Sequence, residues 1–194
     1  MKHEISTYKT KMQFSAALKK ILENKVLSKI TISELCESCN LNRKTFYYHF
    51  ENLEQLLKWT LEQEAVEIFK EYGRLNNFTE AVKFSVDYIY KNKAFLAGIY
   101  KSIGNDQLSG FFRDDFYEVI TMAINMHEQK MGKKISEDYK IFLSKFYANA
   151  LAGQMIEVLL GDNPEEYKKI SEYILFTLSV SIEEIIKASA GGEK

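Results

Sequence analysis

The spacing of apolar positions describes a succession of helices. Phe14, Ala17, Leu18, Ile21 and Leu22 recur at intervals of three and four, one stripe along a helix predicted from about Ile5 to Asn24. Lys9, Lys11, Lys19 and Lys20 lie off that stripe. After the linker "KVLSK", the quartet "TISE" sets a capping box. The Thr31 hydroxyl can accept from the backbone N–H three residues on, while Glu34 reaches back to the Thr31 N–H. A short helix is expected from Ile32 to about Cys39, burying Ile32, Leu35 and Cys36. Asn40 is the expected turn residue, because Asn tolerates the left-handed conformation. Leu41 should then drop into the core, and Asn42 should cap a third helix over Arg43–Phe50.

That third helix is two turns long. Phe46 and Phe50, four apart, share a face and anchor it. At about 100° per residue, Lys44, Thr45 and Tyr48 point away from that face, with Arg43 and Tyr47 on its flank. Asn52 with Gln55 restarts the chain as a helix to about Tyr72. Further helices are expected near Phe78–Lys91, Ala94–Ser102, Asp106–Lys130, Ser136–Leu160 and Pro164–Ala188. The last is marked by Asn163 as cap, Pro164 at the first helical position, and Glu165 and Glu166 facing the positive end of the dipole. The fold class is therefore all-α.

Two of these helices, carrying "FYANALAGQMIEVLL" and "YILFTLSV", are apolar on more sides than one neighbour can cover. In a chain of 194 residues the second contact is expected to be another copy of the protein. Ala148, Ala150, Ala152 and Gly153 would let helices approach closely.

Composition adds little to the fold but divides the charge. Residues 1–50 carry nine Lys or Arg against four Glu, whereas residues 51–194 carry 17 basic against 23 acidic residues. A basic segment on a larger acidic one suggests that the small part meets a polyanion. The start, "MKHEISTYKTKMQF", is polar and shows no secretory signal. The run Phe146–Leu160 would span roughly 22 Å as a helix, short of the roughly 30 Å of a bilayer core. The expected location is the cytoplasm, where Cys36 and Cys39 would stay reduced.

Helix, tight turn, then a helix presenting cations outward is the pattern of a helix-turn-helix, whose second helix enters the major groove. Arg43 can fork to guanine O6 and N7, and neighbouring hydroxyls and Lys44 can fix register on phosphates. The stretch "TISELCESCNLNRKTFYYHFENLEQLL" resembles the TetR family of bacterial transcriptional regulators. Members typically show a Thr-capped short helix, a Gly-Val-Ser turn, a helix ending Thr-aromatic-Tyr-x-His-Phe, and a polar link into a long helix. Here the turn reads Asn40-Leu41-Asn42, and the helix end Thr45-Phe46-Tyr47-Tyr48-His49-Phe50. The resemblance covers about a quarter of the chain, and the C-terminal helices share only number and layout. It implies a DNA-binding domain over 1–51, an effector-binding and dimerisation domain over 52–194, and a homodimer on a palindromic DNA operator. A small effector would release such a protein as a repressor or, more rarely, recruit it. Arg43 and Lys44 match positions that reach base edges, and Thr31, Thr45, Tyr47 and His49 match positions that hold phosphates. Tyr48 lies where either is possible, and Asn42 completes the set. Two positions depart from the pattern. Asn40 replaces the usual Gly, and Leu53 stands where a Lys commonly meets phosphate, although the N-terminus of the fourth helix can still offer N–H groups to an anion.

No constellation for catalysis stands out. "CESC" has the spacing of a thiol redox motif but no strand beside it, and no second Cys or His pair completes a zinc site. His3, His49 and His127 are scattered, and Asp114-Asp115 and Glu183-Glu184 read as solvated faces. The chain is read as no enzyme, without cofactor or metal. An effector pocket is sought among the many Phe and Tyr between residues 66 and 120, with Tyr88, Arg113, Asn149 and Gln154 as polar handles. An alternative gives the C-terminal bundle a protein partner in place of a small molecule.

Overall fold

The computed structural model describes residues 2–74 and 78–189, with side chains over 6–64, 83–163 and 169–189. Its helices are α1 (Lys2–Leu22), α2 (Ile32–Ser38), α3 (Arg43–His49), α4 (Leu53–Arg74), α5 (Phe78–Lys91), α6 (Lys93–Met131), α7 (Glu137–Leu160) and α8 (Pro164–Ser189), with one turn of 3-10 helix at Leu27–Lys29. Two compact units result. One holds Met1–Lys70 with Asn92–Asn105, and the other holds Glu71–Lys91 with Asp106–Lys194. Packing thus groups the residues differently from a cut at 51.

In the first unit the expected stripe of α1 is buried at Phe14, Leu18 and Leu22, as are Leu35 of α2, Phe46 of α3 and Leu56 of α4, and α1 packs on α2 and α3. The start of α6 joins them for a local reason. Gly98 lies so close to the end of α1 that a Cβ there would stand 1.9 Å from the Leu22 carbonyl oxygen. Beside it the Leu27 N–H donates to Ser102 Oγ at 2.9 Å, and that hydroxyl donates to the Gly98 carbonyl at 2.6 Å. Lys19 adds an ion pair to Glu64 at 2.8 Å and lies 5.0 Å from the Phe95 ring centroid.

The second unit packs α5 against both α7 and α8. Its core includes Ile89, Ile120, Ile124, Leu151, Met155 and Ile182. A buried polar knot ties α6 to α7. Glu128 is 5 % exposed; one carboxylate oxygen takes Lys140 Nζ at 2.8 Å, and the other accepts the Ile135 N–H at 2.9 Å. Lys140 also donates to Asn125 at 2.9 Å. Satisfying each atom in this way is what makes a buried charge pair tolerable.

Most expected helices appear within a few residues of their predicted bounds. The two expected at Ala94–Ser102 and Asp106–Lys130 appear as the two segments of α6, separated where Gly104 takes φ 80, ψ 174. A Cβ at Gly104 would meet nothing within 4 Å, so glycine is needed there for its backbone freedom and not for space. Ile32 and Leu41 are half-buried instead of buried. The Leu41 N–H donates to the Cys36 carbonyl at 2.9 Å, so backbone bonding closes the turn and leaves that side chain at the rim. Phe50 lies just past α3, in extended conformation, and is its C-cap.

Replacing Gly98 by Ala forces α1 and α6 apart. Gly98→Ala should cost about 1–3 kcal/mol or more of unfolding free energy, measured by denaturant titration, whereas Gly153→Ala, which has open space around it, should cost nothing comparable.

A candidate nucleic-acid interface and an apolar groove

The recognition helix is built from short-range devices. Thr31 Oγ1 accepts the Glu34 N–H at 3.1 Å and starts α2. Glu34 itself meets Lys25 at 2.6 Å, and this bond, with help from the Thr31 N–H, holds its carboxyl below the usual range. Asn40 takes φ 54, the left-handed turn expected of it. Asn42 Oδ1 then accepts from both the Thr45 N–H at 2.8 Å and the Thr45 hydroxyl at 3.1 Å, capping α3. Phe46 is fully buried, edge-on to Phe14 at 5.4 Å between centroids. Phe50 lies 6.4 Å from Phe14 and 5.9 Å from Trp59.

With those rings inward, Arg43, Lys44, Tyr47 and Tyr48 are exposed, as are Thr31 and Asn42, while Thr45 and His49 are half-buried. Seven of the eight expected DNA-contacting residues thus stand on α3 and its cap, and Thr31 stands at the start of α2. The Arg43 guanidinium lies 6.0 Å from the Tyr47 ring centroid, and Tyr48 meets His49 edge-on at 4.9 Å. Among the described residues no carboxylate pairs with Arg43 or Lys44, whereas Lys19 and Lys25 are neutralised by Glu64 and Glu34. The Thr45 hydroxyl proton is committed to Asn42, so a phosphate oxygen, which only accepts, would have to displace that bond.

The start of α4 is partly capped by its own side chains. Asn52 Oδ1 accepts the Gln55 N–H at 2.8 Å, and Gln55 Oε1 accepts the Glu51 N–H at 2.7 Å. Glu51 and Glu54 are exposed beside it. Cys36 is buried and Cys39 half-buried with its thiol on the Leu35 carbonyl at 3.2 Å. Burial pushes both thiols up, which suits packing and not nucleophilic chemistry.

The four candidate effector handles stand on three helices, α5, α6 and α7. Tyr88 and Arg113 are half-buried on α5 and α6. Asn149 is exposed and donates to the Lys145 carbonyl of its own helix at 2.8 Å. Gln154 alone of the four lines a groove of about 330 Å³ between α7 and α8, whose walls include Phe146, Tyr147, Tyr173, Ile174 and Leu178. Next to it Tyr139, Phe142 and Phe146 form an outward ladder with centroids 6.1 and 6.0 Å apart, and Phe176 of α8 is 72 % exposed. This ladder was not singled out from sequence, although its spacing of three and four within an over-apolar helix carries the signal. Phe95 and Phe116, both within the stretch searched for a pocket, are core. Phe69, Tyr72 and Phe78 lie outside the described side chains.

Residues 76–179 match the family model described as the transcriptional regulator C-terminal region of TetR type. The chain belongs to the TetR family of transcriptional regulators. It is 22 % identical over 182 residues, 93 % of this chain and 95 % of the other, to the HTH-type dhaKLM operon transcriptional activator DhaS of Lactococcus lactis. A solved structure of a dihydroxyacetone kinase operon activator DhaS superposes with a TM-score of 0.77 at 22 % identity, covering 90 % of this chain and 96 % of that one. A TetR regulator from Streptococcus agalactiae gives a TM-score of 0.66 at 23 % identity, covering 92 % and 98 %. TetR-type regulators bind DNA and dimerise. Among the described residues no helix is long and apolar enough to cross a membrane, and no cluster of His, Cys, Asp or Glu could hold a metal ion.

Asp114 is exposed, but Asp115 is half-buried, so the pair is not the solvated face expected of it. Burial first, then the Asp114 charge, pushes the Asp115 carboxyl up to about 7 from an ordinary 3.8. The folded chain therefore binds the extra proton between those values, and this group's stabilising contribution is present below 3.8 and lost as pH rises through about 7. Asp115→Asn should raise the melting temperature above neutral pH relative to the parent and flatten its decline with pH.

Proposed function

We propose that this regulator works as a homodimer that reads a palindromic operator through α3 and is controlled by a small effector in its C-terminal unit. The observation that carries DNA reading is the outward set Arg43, Lys44 and Tyr48, whose cations pair with no carboxylate among the described residues, on a capped helix whose rotation Phe46 and Phe50 set. Arg43 and Lys44 reach base edges. Thr31, Tyr47 and His49 meet the backbone, and Thr45 braces the cap. Two such helices in one dimer meet successive major-groove faces about 34–36 Å apart or somewhat more.

The outward ladder of α7 with Tyr173, Phe176 and Val180 of α8 supports dimerisation through these two helices. A hairpin face this apolar belongs against another protein surface, and a second copy supplies an identical one, as twofold pairing requires. The effector-binding role rests on family layout. A protein docked on the same α7–α8 face is the rival reading, favoured by that exposure. DhaS is named an activator, so repression is not carried over to this chain.

Selection of bound fragments from random duplex DNA at fixed salt should return a palindrome. On the selected duplex Arg43→Ala should lose roughly 1–3 kcal/mol of discrimination against scrambled DNA, with a smaller change on the scrambled duplex itself. An equal loss on both would argue against base reading. Phe142→Glu and Phe176→Glu should turn a dimer into a helical monomer in light scattering. A parent chain that is monomeric at micromolar concentration would assign this face to a different protein.

A further inference from the structure

In the first unit the Lys11 ammonium is held against two aromatic rings, 4.6 Å from the Trp59 ring centroid and 5.0 Å from that of Phe50. Lys11 is half-buried. Among the described residues it has no carboxylate partner, unlike Lys19 and Lys25 in the same unit. Phe50 in turn lies 6.4 Å, centroid to centroid, from the His49 ring at the end of the recognition helix, so a single ring stands between this cation and His49.

A hydrated ammonium is an unusual choice for such a place if packing were its whole purpose. Aromatic faces attract a cation, but they replace little of the hydration it loses, and an apolar residue would fill the gap without that cost. Holding the side chain over two rings removes much of the rotamer freedom that a lysine otherwise loses on meeting a ligand. The result is a pre-ordered positive charge with donors left over.

The neighbouring start of α4 is a poor anion site. Leu53 supplies no charge there, the Asn52 and Gln55 side chains take the Gln55 and Glu51 N–H groups, and exposed Glu51 and Glu54 repel an anion. We infer that Lys11 is a phosphate-binding residue for the DNA backbone, taking over an anchoring task that the start of α4 does not perform in this chain. The inference rests on the DNA-binding reading above.

The test uses the full-length protein and the duplex recovered by selection, titrated over a range of salt. Each lost phosphate contact lowers the slope of log affinity against log salt by about 0.9. Lys11→Met should therefore flatten the slope by about that amount per protomer, leaving the ratio of selected to scrambled affinity unchanged, and Lys11→Arg should keep the parent slope. In the parent chain, the selected duplex should slow acylation of Lys11 by an amine-reactive reagent. An unchanged slope in Lys11→Met, or an unchanged acylation rate in the parent, overturns the inference. The acylation arm needs no variant, so it decides the matter even if Lys11→Met folds poorly. Absence of any sequence-preferring binding by the parent would instead bring down the DNA-reading proposal itself.

Discussion

The edge-on seating of Phe46 and Phe50 around Phe14 governs everything the DNA-facing unit can do. A seven-residue helix cannot recover its nucleation cost from its own hydrogen bonds. It exists because one face is pinned, and each buried ring contributes roughly 1.5–3 kcal/mol, with about 0.5–1.5 more for edge-to-face geometry. The Asn42 cap adds about 1 kcal/mol. Pinning by rings thus outweighs capping, and it also sets the rotation of α3 about its axis, which sends Arg43, Lys44 and Tyr48 outward together.

What could be read in the sequence was what neighbours along the chain decide. Thr31 with Glu34, Asn40 in the turn, Asn42 with Thr45, and Asn52 with Gln55 are contacts across three or four residues, and each stands in the structure. The outcomes that escaped depend on residues far apart. Lys25 claims Glu34 from nine residues away, and Gly98 meets the end of α1 across more than seventy. The Gly104 interruption was visible as a gap between two helical patterns, but nothing local said that one residue would suffice. Side-chain type alone does not say how an effector handle is engaged, as Asn149 illustrates, since its amide donates to a carbonyl of its own helix.

The C-terminal unit keeps an apolar core but departs from the usual assignment of inside and outside in two places. Buried Glu128 is bonded at both carboxylate oxygens, one of them to half-buried Lys140, while Phe142, Phe146, Tyr173 and Phe176 face outward. Charge is accepted in the interior where each atom finds a partner, and apolar area is left outside where another surface can take it. Tyr147 joins the two regions, buried at the groove wall with its hydroxyl donating to Ser181 at 2.7 Å. That bond gives the groove wall a defined position.

If α3 reads DNA as proposed, its shortness limits how much text one copy can spell. Seven residues rise about 10 Å, and at 3.4 Å per base pair that length runs past about three pairs. A word of three letters recurs constantly in any chromosome. On the proposed reading, uniqueness would come from two such words at a set interval, which would make pairing of chains a demand of information as much as of apolar surface.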